Sequence, residues 1–117
     1  MQYACLIYEP SASPRPTPAQ QAEVHEAYMK FTEDVQSANV MRGGAPLDPP
    51  AKATTVRVRD GRKVHTDGPF AETKEWLAGF YLLDCSSLDE ALDWASKIPG
   101  AQWGSIEVRP LMQIPGM

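Results

Sequence analysis

Two segments of the chain, Gln2–Glu9 and Trp76–Cys85, are apolar at alternate positions in both phases, and this restricts the fold more than any other feature. In the first, Tyr3, Cys5 and Ile7 face one way and Ala4, Leu6 and Tyr8 the other, because side chains alternate along an extended strand. In the second, Trp76, Ala78, Phe80 and Leu82 oppose Leu77, Gly79, Tyr81 and Leu83. A strand with one wet face shows a polar alternation that is missing here, so both segments read as strands that need cover on two sides.

The remaining elements follow from local signals. Ser11–Pro18 holds three prolines and reads as a surface loop. Thr17-Pro18-Ala19-Gln20 is a helix start, with a Thr cap, Pro at the first helical position and Gln placed for a capping box. The helix is expected to run to about Ala38, burying a stripe of Val24, Tyr28, Phe31, Val35 and Ala38. Val40–Ala45 reads as a short extended segment ending in Gly43-Gly44, followed by a loop over Pro46–Pro50. Ala53–Arg59 and Arg62–Thr66 flank Asp60-Gly61, which readily adopts the positive φ angles of a tight hairpin turn; Thr55, Arg57 and Arg59 make one side polar, which puts the hairpin at an edge or rim. Ser87 to Glu90 forms a second capping box, opening a helix to about Ile98 with Leu88, Ala91, Leu92 and Ala95 buried. Pro99-Gly100 ends it, and Gly104–Leu111 is a last strand with Ile106 and Val108 inward.

This order, in one domain of 117 residues, predicts an α+β fold of the ferredoxin-like split β-α-β kind, with both helices on one face of an antiparallel sheet. The other face is also apolar, so a homodimer packing sheet to sheet is expected.

Charge and motifs exclude several classes. Eleven basic residues against fifteen acidic ones give a net −4 with no basic stripe, which argues against nucleic acid and anionic membranes as partners. The opening apolar stretch is too short to span a bilayer and lacks a basic leader and a cleavage site, so a cytoplasmic location is expected. Cys5 and Cys85 have no metal-type spacing and read as buried hydrophobes, and with His25 and His65 the only histidines no metal or other cofactor is expected. Neither a nucleophile elbow nor a phosphate-binding glycine loop is present, so covalent serine or cysteine catalysis and nucleotide use lose ground.

The run Thr66-Asp67-Gly68-Pro69-Phe70-Ala71-Glu72-Thr73-Lys74-Glu75, with Gly79-Phe80-Tyr81-Leu82-Leu83-Asp84 after it, resembles the signature of the DGPF branch of the YCII-related family. Tyr3–Tyr8, Thr54-Thr55-Val56-Arg57, Leu88-Asp89-Glu90-Ala91 and Glu107-Val108-Arg109-Pro110 extend the likeness over nearly the whole chain. The resemblance implies a ferredoxin-like subunit that dimerises into an α/β barrel, with a cleft between sheet and loops. It also implies distant relatives that use a His and Asp pair, one of them eliminating chloride from a chlorinated aromatic diol, and branch members that accompany alternative sigma factors. His25, on the first helix, is near the place where those relatives carry their histidine.

Several groups are candidates for chemistry. Asp67 either builds the turn with Gly68 and Pro69 or serves at a cleft mouth as a general base or partner of a histidine. His65 lies two residues before it and shares its strand face. Glu72 and Lys74 are either solvated, or Lys74 holds an anionic substrate with Glu72 paired to it, while Trp76, Phe80 and Tyr81 are either core or dimer interface or, with Phe70, an aromatic lining for a ring-shaped ligand. Two functions follow. One is a cofactor-free acid–base enzyme, a lyase or isomerase on a small metabolite, using Asp67 with His65 or His25. The other is a non-catalytic dimer that binds a small molecule and is associated with a sigma factor or transcriptional regulation.

Overall fold

The computed structural model of the protein describes residues 1–11 and 16–116, so the expected loop over Ser11–Pro18 lies partly outside the described residues. The chain runs β1 (Gln2–Pro10), α1 (Pro18–Ser37), β2 (Met41–Pro46), β3 (Thr54–Arg59), β4 (Arg62–Asp67), β5 (Glu75–Asp84), α2 (Leu88–Ser96) and β6 (Ser105–Pro110), with 3₁₀ turns at Pro50–Lys52 and Pro99–Gln102. Four strands form one antiparallel sheet in the order β2-β5-β1-β6. Each crossover, β1-α1-β2 and β5-α2-β6, skips one strand, and the two interleave to give the ferredoxin-like split β-α-β arrangement. β3 and β4 stand apart as a two-stranded sheet, turning at Asp60 (φ 51°) and Gly61 (φ 73°).

The core lies between one sheet face and the helices. Tyr3, Cys5 and Ile7 of β1 and Tyr81 and Leu83 of β5 pack against Phe31 and Val35 of α1 and Ala91 and Ala95 of α2. Phe31 meets Tyr81 edge-on at 4.9 Å between ring centroids, a favourable geometry for the ring quadrupoles. The opposite sheet face carries Ala4, Leu6 and Tyr8 of β1 beside Phe80 and Leu82 of β5, all half-buried, bordered by exposed Ser105, Glu107 and Arg109 of β6. Among the described residues no helix is long and apolar enough to cross a membrane.

Capping sets the ends of α1. The Thr17 hydroxyl accepts the Gln20 N–H at 3.2 Å, and the Gln20 side chain accepts the Thr17 N–H at 2.8 Å. At the other end Asn39, with φ 60°, closes a Schellman turn in which the Asn39 N–H donates to Gln36 and the Val40 N–H to Val35. Thr17→Ala is expected to lower stability by about 1 kcal/mol, measured by urea unfolding at constant m.

Besides Ala38, expected in the buried stripe of α1 but exposed at its C-cap, three expectations change. On α2 the stripe toward the core is buried Ala91 and Ala95 with half-buried Trp94, and buried Ile98 follows just past the helix end, whereas Leu88 and Leu92 are 49% and 46% exposed. Steps of three and one keep Ala91, Trp94 and Ala95 within one helical face, and Leu92 lies about 100° from its centre. The second capping box is also incomplete: Ser87 accepts the Glu90 N–H, but the Glu90 carboxylate accepts from the N–H and hydroxyl of Ser86 at 2.7 and 2.5 Å. Those bonds from Ser86 hold the Glu90 carboxyl below its ordinary range.

The third change concerns β5. Its pairing with β1 jumps from Ile7↔Gly79 to Tyr8↔Leu77, leaving Ala78 as the extra residue of a bulge. The parity reverses there. Trp76 pairs with Glu9 and joins the helix side, instead of sharing a face with Phe80 and Leu82 as strict alternation predicts.

Candidate functional site

The bulge and two glycines open a cavity. Gly44 and Gly79 lie at sheet positions opposite Tyr81 and Ile7, beneath the N-terminal half of α1. A Cβ on Gly44 would stand 2.8 Å from the Phe80 carbonyl oxygen, and one on Gly79 would stand 2.9 Å from that of Ala45. Any side chain at either place is therefore resisted by backbone that cannot swing away, and the floor stays bare. The space above it is about 1020 Å³. Val24, Tyr28 and Met29 of α1 form one wall, Met41, Ala45 and Leu47 a second, and Ile7, Trp76, Ala78 and Trp103 the rest.

A few polar groups converge on this apolar space, the usual composition of a small-molecule site. The Tyr28 hydroxyl accepts the Gly100 N–H at 3.1 Å. Burial, and to a lesser degree the negative charge of Glu9, pushes its phenol up to about 12, so it remains protonated and keeps an O–H to donate. The Glu9 carboxylate accepts from the Trp103 indole at 3.4 Å. Thr32 and Tyr81 share one hydrogen bond between their hydroxyls at 2.8 Å, and burial raises the Tyr81 phenol as well. Gln20, Gln21 and His25 complete the helix side, with His25 exposed at the mouth.

Tyr28 and Cys5 together set an alkaline limit. Burial moves the Cys5 thiol from 9.0 to about 11, as it moves Tyr28 from 10.0 to about 12. Both folded-state values lie above the unfolded ones, so the native state holds these protons more tightly. The associated stability is complete below about pH 9 and is lost as pH rises toward 12. Thermal melting is expected to be flat from pH 7 to 9 and to drop steeply above it.

The sequence-derived candidates fall into three places. His25 and Trp76 line the cavity. His65 and Asp67 lie together on β4, exposed, opposite Val56 and Thr54. Phe70, Glu72 and Lys74 occupy the loop before β5, where Phe70 is 78% exposed and the Ser11 N–H donates to the Lys74 carbonyl oxygen. Within a single chain the cavity thus receives one of the two histidines and not Asp67. Tyr81, expected as core or pocket lining, is in the site, and Glu9, Tyr28, Thr32 and Trp103 are further polar members that have no counterpart among the expected site residues. The signal for Tyr28 was a tyrosine where the buried pattern would accept phenylalanine.

The sequence model of the YCII-related domain matches residues 1–115. An uncharacterised protein of Rhizobium meliloti (strain 1021) is 45% identical over 117 residues, covering 95% of this chain and 92% of that protein. Among solved structures, the 5-chloro-2-hydroxyhydroquinone dehydrochlorinase of Burkholderia phenoliruptrix AC1100, in complex with 2,5-dihydroxybenzoquinone, superposes with a TM-score of 0.52 at 15% identity, over 96% of this chain and 94% of that one.

Proposed function

Given that the chain belongs to the YCII-related family, we propose that it is a cytoplasmic, homodimeric enzyme of cofactor-free acid–base chemistry, a lyase or isomerase acting on a small ring-bearing metabolite. The observation that carries this reading is the cavity under α1, whose apolar walls and bare glycine floor admit a flat ring while a handful of polar groups meet its edge. The dehydrochlorinase of like fold, solved with a dihydroxylated quinone, supports a substrate of this size and class.

The roles follow from the chemistry of each group. His25 at the mouth, whose imidazole has one nitrogen to accept and one to donate, is the group suited to take and return a proton. Tyr28, kept protonated by burial, donates a hydrogen bond to an oxygen on which negative charge develops. Glu9 accepts from a substrate hydroxyl, and Trp76 stacks on the ring.

Calorimetric titration with 2,5-dihydroxybenzoquinone and related hydroxylated rings, followed by mass-spectrometric search for product, tests the reading. Binding with turnover is expected, and His25→Ala should lower turnover about 100-fold while changing affinity little. Binding without product from any ring compound would favour the sigma-factor-associated sensor. Absence of binding across the set would end both.

A further inference from the structure

The β3–β4 hairpin is an arm for which the single chain has no use. Among the described residues no other helix or strand packs extensively along it, and an isolated two-stranded hairpin is marginal in water. It nonetheless keeps Val56 and Val58 61% and 63% exposed, and β4 is exposed over its whole length. The molecule measures 47 × 46 × 19 Å with a radius of gyration of 16.4 Å, against about 13 Å for a compact chain of this size. Its thin axis is one helix layer on one sheet, so the arm extends sideways instead of folding back.

Charge distinguishes the arm from the body. Thr54–Asp67 carries Arg57, Arg59, Arg62 and Lys63 against Asp60 and Asp67, a balance of +2 in a chain whose total is −4, which leaves −6 elsewhere. Two arms therefore repel one another, and each is drawn to the body of another copy. The cavity lining offers a surface of opposite sign to the arm: Glu9 and Glu23 are acidic, and Met29 of the same lining is 59% exposed. By register, Val56 and Val58 share the arm face that holds Lys63, His65 and Asp67, while Arg57, Arg59 and Arg62 lie on the other face and supply the long-range attraction.

We propose that the arm of one copy lies on a second copy, seating Val56 and Val58 on the rim of its cavity at Met29 and carrying His65 and Asp67 to the mouth beside His25. Each site is then completed by the other copy, and a His and Asp pair separated within one chain meets across the interface. This rests on the dimeric reading above and adds to it the identity of the crossing element.

Sedimentation equilibrium and cross-linking test it together. The wild type is expected to be a dimer, and the Val56→Asp/Val58→Asp variant to dissociate about 100-fold more readily with an unchanged far-ultraviolet spectrum, since these side chains pack on little in their own chain. His65→Cys and His25→Cys chains, mixed and treated with a short bis-maleimide, should give covalent dimers that neither gives alone. The native Cys5 and Cys85 are buried, with burial raising both thiols, and remain silent. A monomeric wild type removes the dimer and the arm alike. A dimer indifferent to the valine changes, or His65→Cys chains that link to each other and not to His25→Cys, overturns the placement of the arm and leaves the dimer standing.

Discussion

Gly79→Val is expected to abolish ligand binding and to lower stability by about 1–3 kcal/mol, the usual cost of overfilling a packed position. Its first added carbon meets the Ala45 carbonyl oxygen at 2.9 Å and the Pro46 Cα at 3.2 Å, both backbone atoms of the neighbouring strand. Its methyl groups then project toward the helix side, where the ring of a ligand would lie. Gly79→Ala separates the two effects, because it brings the backbone clash and almost none of the bulk. If the valine variant binds hydroxylated rings as the wild type does, the floor of the site is elsewhere. Calorimetry and urea unfolding of the same preparations read both consequences.

A second large effect is expected at the open face of the sheet. Leu6 sits on β1 between Phe80 of β5 and Glu107 of β6, half-buried, on the face away from the helices. Its neighbours Ala4, Tyr8 and Leu82 extend the apolar surface across two strands. Under the dimeric proposal Leu6→Asp places a carboxylate in that interface directly opposite Glu107, whose charge repels it and already engages Arg109, so its desolvation is poorly compensated and the dimer dissociation constant should rise about a thousandfold. Within one chain the aspartate can reach water, so the isolated fold should survive. Sedimentation equilibrium measures the first outcome and circular dichroism the second. A variant that remains a tight dimer would show that this face is not the contact.

Most of the architecture was legible because local and global signals agree. Alternation in Tyr3–Tyr8 separated the two faces of β1, Thr17 and Gln20 marked the start of α1, and Asp60-Gly61 marked the hairpin turn. The site was less legible for a definite physical reason. A bulge is a two-chain property, set by how β5 meets β1 at Ala78, and nothing within the run Glu75–Asp84 announces that Trp76 has changed sides. Leu88 and Leu92 misled in a related way, since small Ala91 and Ala95 let α2 approach the sheet closely and the leucines fall beside that contact. Short-range motifs likewise drew attention to Asp67, His65, Phe70, Glu72 and Lys74, which the fold gathers on the arm and its following loop. The cavity takes its polar groups from four distant places in the chain, at Glu9, Tyr28, Tyr81 and Trp103, a convergence that no spacing along the sequence encodes.

The central claim is that the cavity between α1 and the sheet receives the ligand. Backbone amide resonances followed during titration with a hydroxylated aromatic ring test it most directly, because each amide reports its own surroundings. The account predicts that the largest shifts fall at Gly44, Gly79, Ala78 and the Val24–Thr32 stretch of α1, with Leu83 and α2 unmoved. Shifts confined to the open sheet face, or to α2 and β6, would contradict it.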